Sequence, residues 1–265
     1  GHSTRVAMYT VEMAKAINRL DEGSYRDLFF SDEQIKEMRY AGLLHDFGKV
    51  GVRERVLVKA QKLYDFQLEL IRIRFGFILK VIQEDFLKRK LELIQEHGEE
   101  EYRNIIERLD EEEKRESEKV REYMDLIIQA NEPKLLEENP AQAIDQIAQQ
   151  TYVDWSGEYR HYLSDEEHEM LSIRKGSLSE TERKEIESHV IHSYEFLQKI
   201  PWTSSLTGIP DIARGHHEKL NGKGYPDGVT GDQLSVQTRM MAIADIFDAL
   251  TAQDRPYKKA VPIPR

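Results

Sequence analysis

Two pairs of adjacent polar residues stand out in this 265-residue sequence, which contains no cysteine, and the first pair interrupts an otherwise apolar helical segment. His45 and Asp46 lie in the segment YAGLLHDFGK, and His216 and His217 are adjacent in ARGHHEKL. Burial of such groups without partners costs several kcal/mol. A divalent cation can be the partner, because borderline metals accept neutral imidazole and carboxylate ligands and a carboxylate can bridge two ions. The two pairs therefore indicate a metal site built from histidine and aspartate.

Three further residues could complete such a site. His189 lies in the helical segment ERKEIESHVIHSYEFL, Asp245 is a lone acid in the apolar segment MMAIADIFDAL, and His2 precedes an amphipathic helix. Each choice has a structural alternative. His192 shares a helix face with His189, His2 could belong to a frayed terminus or a tag, and Asp248 could be only a helix cap or a salt-bridge partner.

Helical periodicity dominates the elements that must position these residues. Ser31, Ser164 and Ser179 are each followed three residues later by Gln or Glu, which is the capping-box pattern of a helix start. Alternating apolar patterns typical of strands are scarce, so we expect an all-α fold. The apolar spacing predicts five helices, at residues 4–20, 31–46, 164–174, 179–199 and 235–252.

The middle of the chain differs in composition. Residues 84–125 contain 16 acidic and 9 basic side chains and contribute −7 to the net charge of −11. Apolar residues recur there at spacings of three and four, which is typical of a coiled coil, and we predict an antiparallel helical hairpin that turns at Gly98 between 61–97 and 99–131. The charged run DEEEKRESEK is an alternative turn site. The predicted seam consists of Leu63, Phe66, Leu70, Ile73, Phe77, Leu87, Leu91, Ile94, Ile105, Leu109, Val120, Met124 and Ile127.

Two interpretations of this middle segment stay open. It could be a signalling or dimerisation stalk, and its seam then predicts a homodimer. It could equally be a solvated insertion with no partner.

The composition limits the classes of function. No apolar run approaches the ~20 residues of a membrane span, and the acidic balance argues against binding of a nucleic-acid polymer. Absence of cysteine excludes disulfides and thiolate metal sites and fits a reducing cytoplasm. The start, GHSTRV, has neither an initiator Met nor a signal-peptide pattern, so we expect a fragment of a longer protein with an upstream sensor domain.

Four runs resemble, in the same order, the motifs of the HD-GYP family, a branch of the HD phosphohydrolases: GLLHDFGKVGVRERVLVK, HVIHSYEFL, HHEKLNGKGYPDG and RMMAIADIFDALTAQDRPYKKA. The resemblance assigns residues 1–60 and 172–265 to the catalytic domain and leaves 61–171 as an acidic helical insertion. It implies an HD-type helical bundle with two or three divalent ions, usually iron or manganese. It also implies hydrolysis of cyclic di-GMP by metal-activated hydroxide to pGpG, with GMP as a further product.

The resemblance also assigns roles to residues. Lys49, Arg255 and Lys258 match positions that hold substrate phosphate, and His45, Asp46 and Lys49 match catalytic positions. Tyr225 of the GYP loop could stack on guanine or brace the loop from inside. The implied metal ligands are His2, His45, Asp46, His189, His216, His217 and Asp245, with Asp46 as the bridge.

The sequence departs from the family pattern at three positions. Val190, Ser193 and Asn221 replace residues that are common in the family, and none of these changes removes a ligand. Family members with a third ion often use a Glu one helical turn before the first His, a position that would precede residue 1. The number of ions therefore stays open.

Three functions fit these residues. The first is hydrolysis of cyclic di-GMP, and the second is hydrolysis of another nucleotide by the same metals, because no sequence feature reads guanine directly. The third is a degenerate receptor or interaction module. The complete ligand set favours an enzyme, since a degenerate copy need not keep it.

Overall fold

The computed structural model describes residues 1–135 and 138–252, and for residues 97–101, 104 and 138–140 it describes the backbone only. The described chain is overwhelmingly helical, which confirms the predicted all-α class. Its helices are α1 (His2–Ile17), α2 (Asp32–Leu44), α3 (Glu54–Leu57), α4 (Asp65–Ala130), α5 (Glu138–Ala148), α6 (Asp165–Leu171), α7 (Glu180–Glu187), α8 (His189–Gln198), α9 (Ile209–Arg214) and α10 (Val236–Thr251).

The chain divides into two compact units. The first unit comprises Gly1–Val58 and Glu180–Arg265, and the inserted unit comprises Lys59–Ser179. No helix in the described ranges combines the length and the apolarity that crossing a membrane would require.

Helices α1, α2, α9 and α10 surround the core of the first unit. Val6, Met38, Ile209 and Met241 are buried between them. Gly42 lets α1 and α2 approach closely, because a Cβ atom at this position would lie 2.7 Å from the Cα of Ala7. This close packing brings the first turn of α1 beside the end of α2.

The start of α2 follows the predicted capping box. The backbone N–H of Gln34 donates to the Ser31 hydroxyl at 3.2 Å, and the backbone N–H of Ser31 donates to the Gln34 side chain at 2.9 Å. Ser164 and Glu167 form the same reciprocal pair at the start of α6. Two of the three predicted capping boxes are therefore confirmed by hydrogen bonds.

The predicted continuous helix at 179–199 is wrong at one point, because Ser188 separates α7 from α8. The Ser188 hydroxyl donates to the carbonyl of Glu185 at 2.7 Å, and the His189 ring donates to the carbonyl of Ile186 at 2.5 Å. These side chains use carbonyls that an uninterrupted helix would fill with backbone N–H groups. The other four predicted helices agree with the structure to within three residues at each end.

Helix α4 supplies both arms of the inserted unit. Lys90 donates to Glu113 at 2.8 Å, although 23 residues of straight helix would span ~35 Å. The backbone N–H of Lys62 likewise donates to the carbonyl of Asn131 at 3.0 Å. The chain therefore reverses direction between these contacts, and its two arms run antiparallel.

The predicted seam divides between two faces of this unit. Ile71, Phe75 and Ile78 of the first arm pack with Val120 and Ile127 of the second arm. Leu63 of the first arm joins this core, as the sequence predicted. The other first-arm residues that the sequence assigned to the seam are exposed instead, so the expectation that they form the hairpin core is wrong. These exposed residues are Phe66, Leu70, Ile73, Phe77, Leu87, Leu91 and Ile94.

A small β-hairpin in the inserted unit was not predicted. Strands β1 (Thr151–Val153) and β2 (Tyr159–His161) pair antiparallel, with Tyr152 opposite Arg160. The Asp154 carboxylate accepts backbone N–H groups from the turn between them. Strands of three residues are too short to give a recognisable alternating pattern.

Candidate metal centre

Three histidines of the site lie just beyond the ends of helices. His45 follows α2, His189 follows the break after α7, and His216 follows α9 and Gly215. The last carbonyls of a helix lack backbone partners. In each case the Nδ1 atom of the histidine donates to the carbonyl three residues earlier, at distances of 2.8, 2.5 and 2.5 Å respectively. An imidazole ring therefore binds a carbonyl group at the C-terminal end of each of these three helices.

This arrangement selects one tautomer of each ring. Because Nδ1 carries the hydrogen, the lone pair of Nε2 points away from the helix end. All three rings are at most 2% exposed, and their Nε2 atoms point into one small region. The partial negative charge of a helix C-terminus also favours a cation nearby.

His2 reaches the same region from the first turn of α1. Its Nδ1 atom donates to the carboxylate of Asp248 at 2.7 Å, which directs Nε2 toward Asp245 at 3.0 Å and Asp46 at 3.5 Å. Asp248 is 1% exposed and also pairs with Arg5 at 2.5 Å. Asp248 is therefore a salt-bridge partner, as one interpretation of the sequence had it, and in addition it orients His2.

The two aspartates lie between two groups of histidines. Oδ2 of Asp46 lies 3.4 Å from Nε2 of His45, and its Oδ1 lies 3.3 Å from Nε2 of His189. Oδ1 of Asp245 faces His2, whereas its Oδ2 lies 3.9 Å from Nδ1 of His217. Each carboxylate thus presents one oxygen to each group.

Two clusters of candidate ligand atoms result. His2, His45 and Asp46 offer atoms that all lie within 4.8 Å of one another, and so do His189, His216 and His217. Asp46 and Asp245 connect the two clusters.

Several buried polar atoms in these clusters lack hydrogen-bond partners within the described ranges. They include Nε2 of His45, His189 and His216 and Oδ1 of Asp46. Lone pairs of imidazole and carboxylate that face each other at 3–4 Å share no proton, and unpaired polar atoms of this kind are rare in folded proteins. Divalent cations would satisfy all of them, so the residues present fit a metal site with two positions.

The electrostatics favour the ligand form of most of these side chains. Burial lowers the pKa of His217 to about 4 and that of His216 well below its usual value. Burial alone would raise the pKa of the Asp46 carboxyl, but the nearby rings of His189 and His2 outweigh it and hold this pKa far below its ordinary range. These two rings and this carboxylate therefore carry free lone pairs at neutral pH.

The pKa values of His2 and Asp245 also indicate that their surroundings favour a positive charge. The carboxylates of Asp245 and Asp46 raise the pKa of His2 to about 10. Burial opposes ionisation of the Asp245 carboxyl, but its hydrogen bond with His2 and the nearby imidazoles outweigh this effect and lower its pKa to about 2. A cation at this position would replace the proton of His2.

Lys49 and Tyr225 lie at the rim of the clusters. The Lys49 ammonium donates to Asp46 at 2.6 Å, and its side chain is 40% exposed. The ring of Tyr225 lies 4.8 Å from that of His217, and the backbone N–H of Tyr225 donates to the His217 carbonyl at 3.3 Å. The tyrosine therefore packs against a candidate ligand.

A tight contact between α8 and the residues after α2 positions Asp46. A Cβ atom on Gly48 would lie 2.0 Å from the carbonyl oxygen of His189, so only glycine fits this approach. The buried Ser193 hydroxyl donates to the carbonyl of His45 at 2.7 Å and accepts the backbone N–H of Gly48 at 2.8 Å. Ser193, one of the departures from the family pattern, thus connects two histidine-bearing segments.

The structure brings together all seven residues that the sequence indicated as ligands. His192, the alternative to His189, is exposed. Arg255 and Lys258 lie outside the described residues.

Sequence reasoning missed two contributions, the orienting role of Asp248 and the burial of Glu218. One oxygen of Glu218 accepts backbone N–H groups of Asp227 and Gly228 in the GYP loop, and the other has no hydrogen-bond partner among described residues. Asp248 lies three residues after Asp245 on α10, and this spacing could have indicated a shared helix face. No pattern in the sequence signals the role of Glu218.

Comparisons with known proteins agree with this geometry. Two family profiles, both described as HD domain, match residues 1–148 and 166–263. The chain is 43% identical over 90 residues to the 3'3'-cGAMP-specific phosphodiesterase 3 of Vibrio cholerae, which covers 34% of the chain and 19% of that protein.

Two further relatives carry names of the same kind. The chain is 39% identical over 88 residues to the cyclic di-GMP phosphodiesterase response regulator RpfG of Xanthomonas campestris, covering 33% of the chain and 23% of the relative. It is 36% identical over 86 residues to a cyclic di-GMP phosphodiesterase of Pseudomonas aeruginosa, covering 32% and 20%. The matched segment is thus about a fifth of each relative's length. The chain belongs to the HD domain family, and its four ordered motifs are those of the HD-GYP branch.

Proposed function

We propose that the first unit hydrolyses a cyclic dinucleotide, with cyclic di-GMP as the first candidate, at a centre of two divalent cations. The main observation in support of this proposal is that Asp46 and Asp245 each present one oxygen to each of two histidine clusters. The two carboxylates would therefore help to hold two neighbouring cations, and a pair of cations is a recurrent design for phosphodiester hydrolysis. The seven clustered residues are the proposed ligands, and iron or manganese the proposed metals.

The chain's own residues would hold and orient this centre. Carbonyl oxygens of Gly42, Ile186 and Ala213 hold three imidazole rings with Nε2 inward, so no ring must reorient to bind. Bound cations would supply Lewis acidity, which lowers the pKa of water and neutralises charge on a phosphoryl oxygen. Asp46 stays ionised because imidazoles surround it.

Substrate phosphate needs local positive charge, because the chain as a whole carries a net charge of −11. The partly exposed Lys49 ammonium lies beside Asp46, where it could hold a phosphate next to the centre. We propose the same role for Arg255 and Lys258. Tyr225 packs on His217 and could brace the GYP loop while presenting its edge to a base.

A second candidate substrate is 3'3'-cGAMP. Three relatives from Vibrio cholerae are named as specific for this dinucleotide, and no sequence motif of the chain selects guanine directly. A degenerate binding module is less well supported, since none of the seven candidate ligands has been lost.

Other parts of the proposal concern the setting of this activity. We propose that the chain acts in the cytoplasm, which its lack of cysteine fits, and that it self-associates through the inserted unit. An upstream sensor domain stays a prediction.

Product analysis tests the proposal. The chain would be loaded with Fe²⁺ without oxygen, or with Mn²⁺, and incubated separately with cyclic di-GMP and 3'3'-cGAMP before anion-exchange chromatography. We expect a linear dinucleotide from at least one substrate and no product from the Asp46→Asn variant. If both substrates stayed intact with either metal, the proposed hydrolysis would be refuted. Binding of a substrate without turnover would favour the receptor alternative.

A further inference from the structure

The first arm of α4 carries a second heptad pattern that the hairpin does not use. Positions 66, 70, 73, 77, 80, 84, 87, 91 and 94 follow one another at alternating spacings of four and three residues, and every one of them is exposed. Ile73 is 62% exposed, and Leu87 is 58% exposed. Over four heptads this face is ~42 Å long. An apolar stripe of this length and spacing is typical of a coiled-coil interface.

We propose that this face, which we call the outer seam, binds the outer seam of a second copy of the chain in the antiparallel direction. The proposal specifies the surface and register of the self-association included in the proposed function, and it is independent of catalysis. Its decisive residues are Lys80 and Glu84, the two charged members of the outer seam.

The register follows from charge complementarity. Facing seam positions alternate between the two heptad classes in an antiparallel pair, whereas each position faces its own copy in a parallel pair. With a two-fold axis beside Ile82, Lys80 lies opposite Glu84 of the second copy, and the reciprocal pair forms on the other side. A parallel pair in register would place Lys80 opposite its own copy and Glu84 opposite its own copy. Like charges at such positions are destabilising.

The same axis pairs the apolar residues. Leu70 lies opposite Ile94 of the second copy and Phe77 lies opposite Leu87, so aliphatic or aromatic side chains meet on both sides of the charged layers. The same holds for Ile73 and Leu91. Every member from 70 to 94 therefore has an apolar or oppositely charged partner.

Flanking residues are compatible with this arrangement. Val81 and Gln83, which bracket the axis, are uncharged and would face their own copies without repulsion. Arg74 and Lys88 are the flanking positions of like charge. Arg74 already donates to Glu167 at 2.6 Å in the same chain, which reduces its effect.

The β-hairpin provides a second wall for part of the outer seam. A groove of about 670 Å³ lies between Leu70, Ile73 and Phe77 on α4 and the residues Tyr152 and Trp155. Trp155 is 89% exposed. In the proposed register the residues 87–94 of the second copy would enter this groove, and each copy would receive the other in the same way.

Charge exchange at Lys80 and Glu84 tests both the surface and its direction. Within one chain, Lys80 contacts Gln83 and Glu84 contacts Lys88 along the exposed side of α4. Substitutions there do not reach the hairpin core, and circular dichroism melting would verify folding. Glu111→Lys, at an exposed position on the second arm, is the matched control for a change of charge.

The mass of the whole chain would be measured by light scattering and sedimentation across ~1–100 μM, a range that covers typical specific association. We expect the wild type and Glu111→Lys to form a species of twice the 31.0 kDa chain mass. Lys80→Glu alone and Glu84→Lys alone should each weaken dimerisation roughly ten- to a hundredfold, because like charges then face each other in two layers. The double variant, which combines Lys80→Glu with Glu84→Lys, should restore dimerisation. The two single variants mixed together should form a heterodimer.

Three results would overturn the proposal. If the wild type stayed monomeric at all concentrations, a second copy of the chain would be excluded as the partner. If both single variants associated as tightly as the wild type, the outer seam would be excluded as the interface. Failure of the double exchange and of the mixture to restore association would exclude the antiparallel register. Because these readouts are masses, they stand whether or not the chain hydrolyses a cyclic dinucleotide.

Discussion

Asp248 offers a sharp test of how the centre is supported, because it touches no candidate metal position itself. Its carboxylate is 1% exposed, accepts Nδ1–H of His2 at 2.7 Å and pairs with Arg5 at 2.5 Å. In the Asp248→Asn variant, a neutral amide replaces the carboxylate at nearly unchanged volume. His2 then loses a charged acceptor that orients its ring and raises the basicity of Nε2.

The expected loss of metal affinity is about 10- to 100-fold, the usual effect of removing such an outer carboxylate. This loss corresponds to about 1.4–2.7 kcal/mol. The broken ion pair should also lower the free energy of unfolding by about 3 kcal/mol, near the lower end for a buried pair, because the Arg5 side chain is 29% exposed.

Arg5→Gln is the matched control, since it removes the ion pair and leaves the acceptor of His2 in place. Mn²⁺ affinity would be measured by competition with a fluorescent chelator, and stability by urea unfolding. We expect both variants to lose stability and only Asp248→Asn to lose metal affinity. Equal metal affinities for the two variants would refute the orienting role and leave Asp248 as a salt-bridge partner alone.

Three further substitutions test other contacts of the first unit, and a fourth, on α4 of the inserted unit, is a control for one of them. Ser193→Ala leaves the carbonyl of His45 and the N–H of Gly48 buried without their partner, so urea unfolding should show a loss of about 2 kcal/mol; an unchanged midpoint would contradict this. Gly48→Ala places a Cβ atom against the His189 carbonyl and should cost about 3 kcal/mol or more, whereas Gly76→Ala, with open space around its Cβ position, should stabilise the protein by up to about 1 kcal/mol. Lys49→Gln should raise KM for the cyclic dinucleotide about tenfold or more without changing bound metal, and steady-state kinetics that show only a lower kcat would argue against phosphate binding by Lys49.

The sequence predicted those features that depend on local patterns. Capping boxes and apolar spacing gave the helices. The two polar pairs gave four of the seven residues that the fold brings together, and His2, His189 and Asp245 followed from their places in helical segments and from the family resemblance. The interruption at Ser188 was not predictable in this way, because it arises from hydrogen bonds of the Ser188 and His189 side chains that replace backbone ones.

Features that depend on tertiary packing were beyond the sequence. The first arm of α4 carries two apolar faces, and periodicity alone could not tell that Ile71 and Phe75 face the second arm while Leu70 and Ile73 face outward. The role of Asp248 likewise requires α1 and α10 to pack side by side.

The metal content of the purified chain tests the central claim most directly. After loading with Mn²⁺, or with Fe²⁺ without oxygen, and exhaustive dialysis, elemental analysis should find two ions per wild-type chain. The Asp46→Asn variant, which loses the carboxylate shared by both histidine clusters, should retain one or none. One ion or fewer in the wild type, or equal contents in both proteins, would contradict a two-cation centre bridged by Asp46.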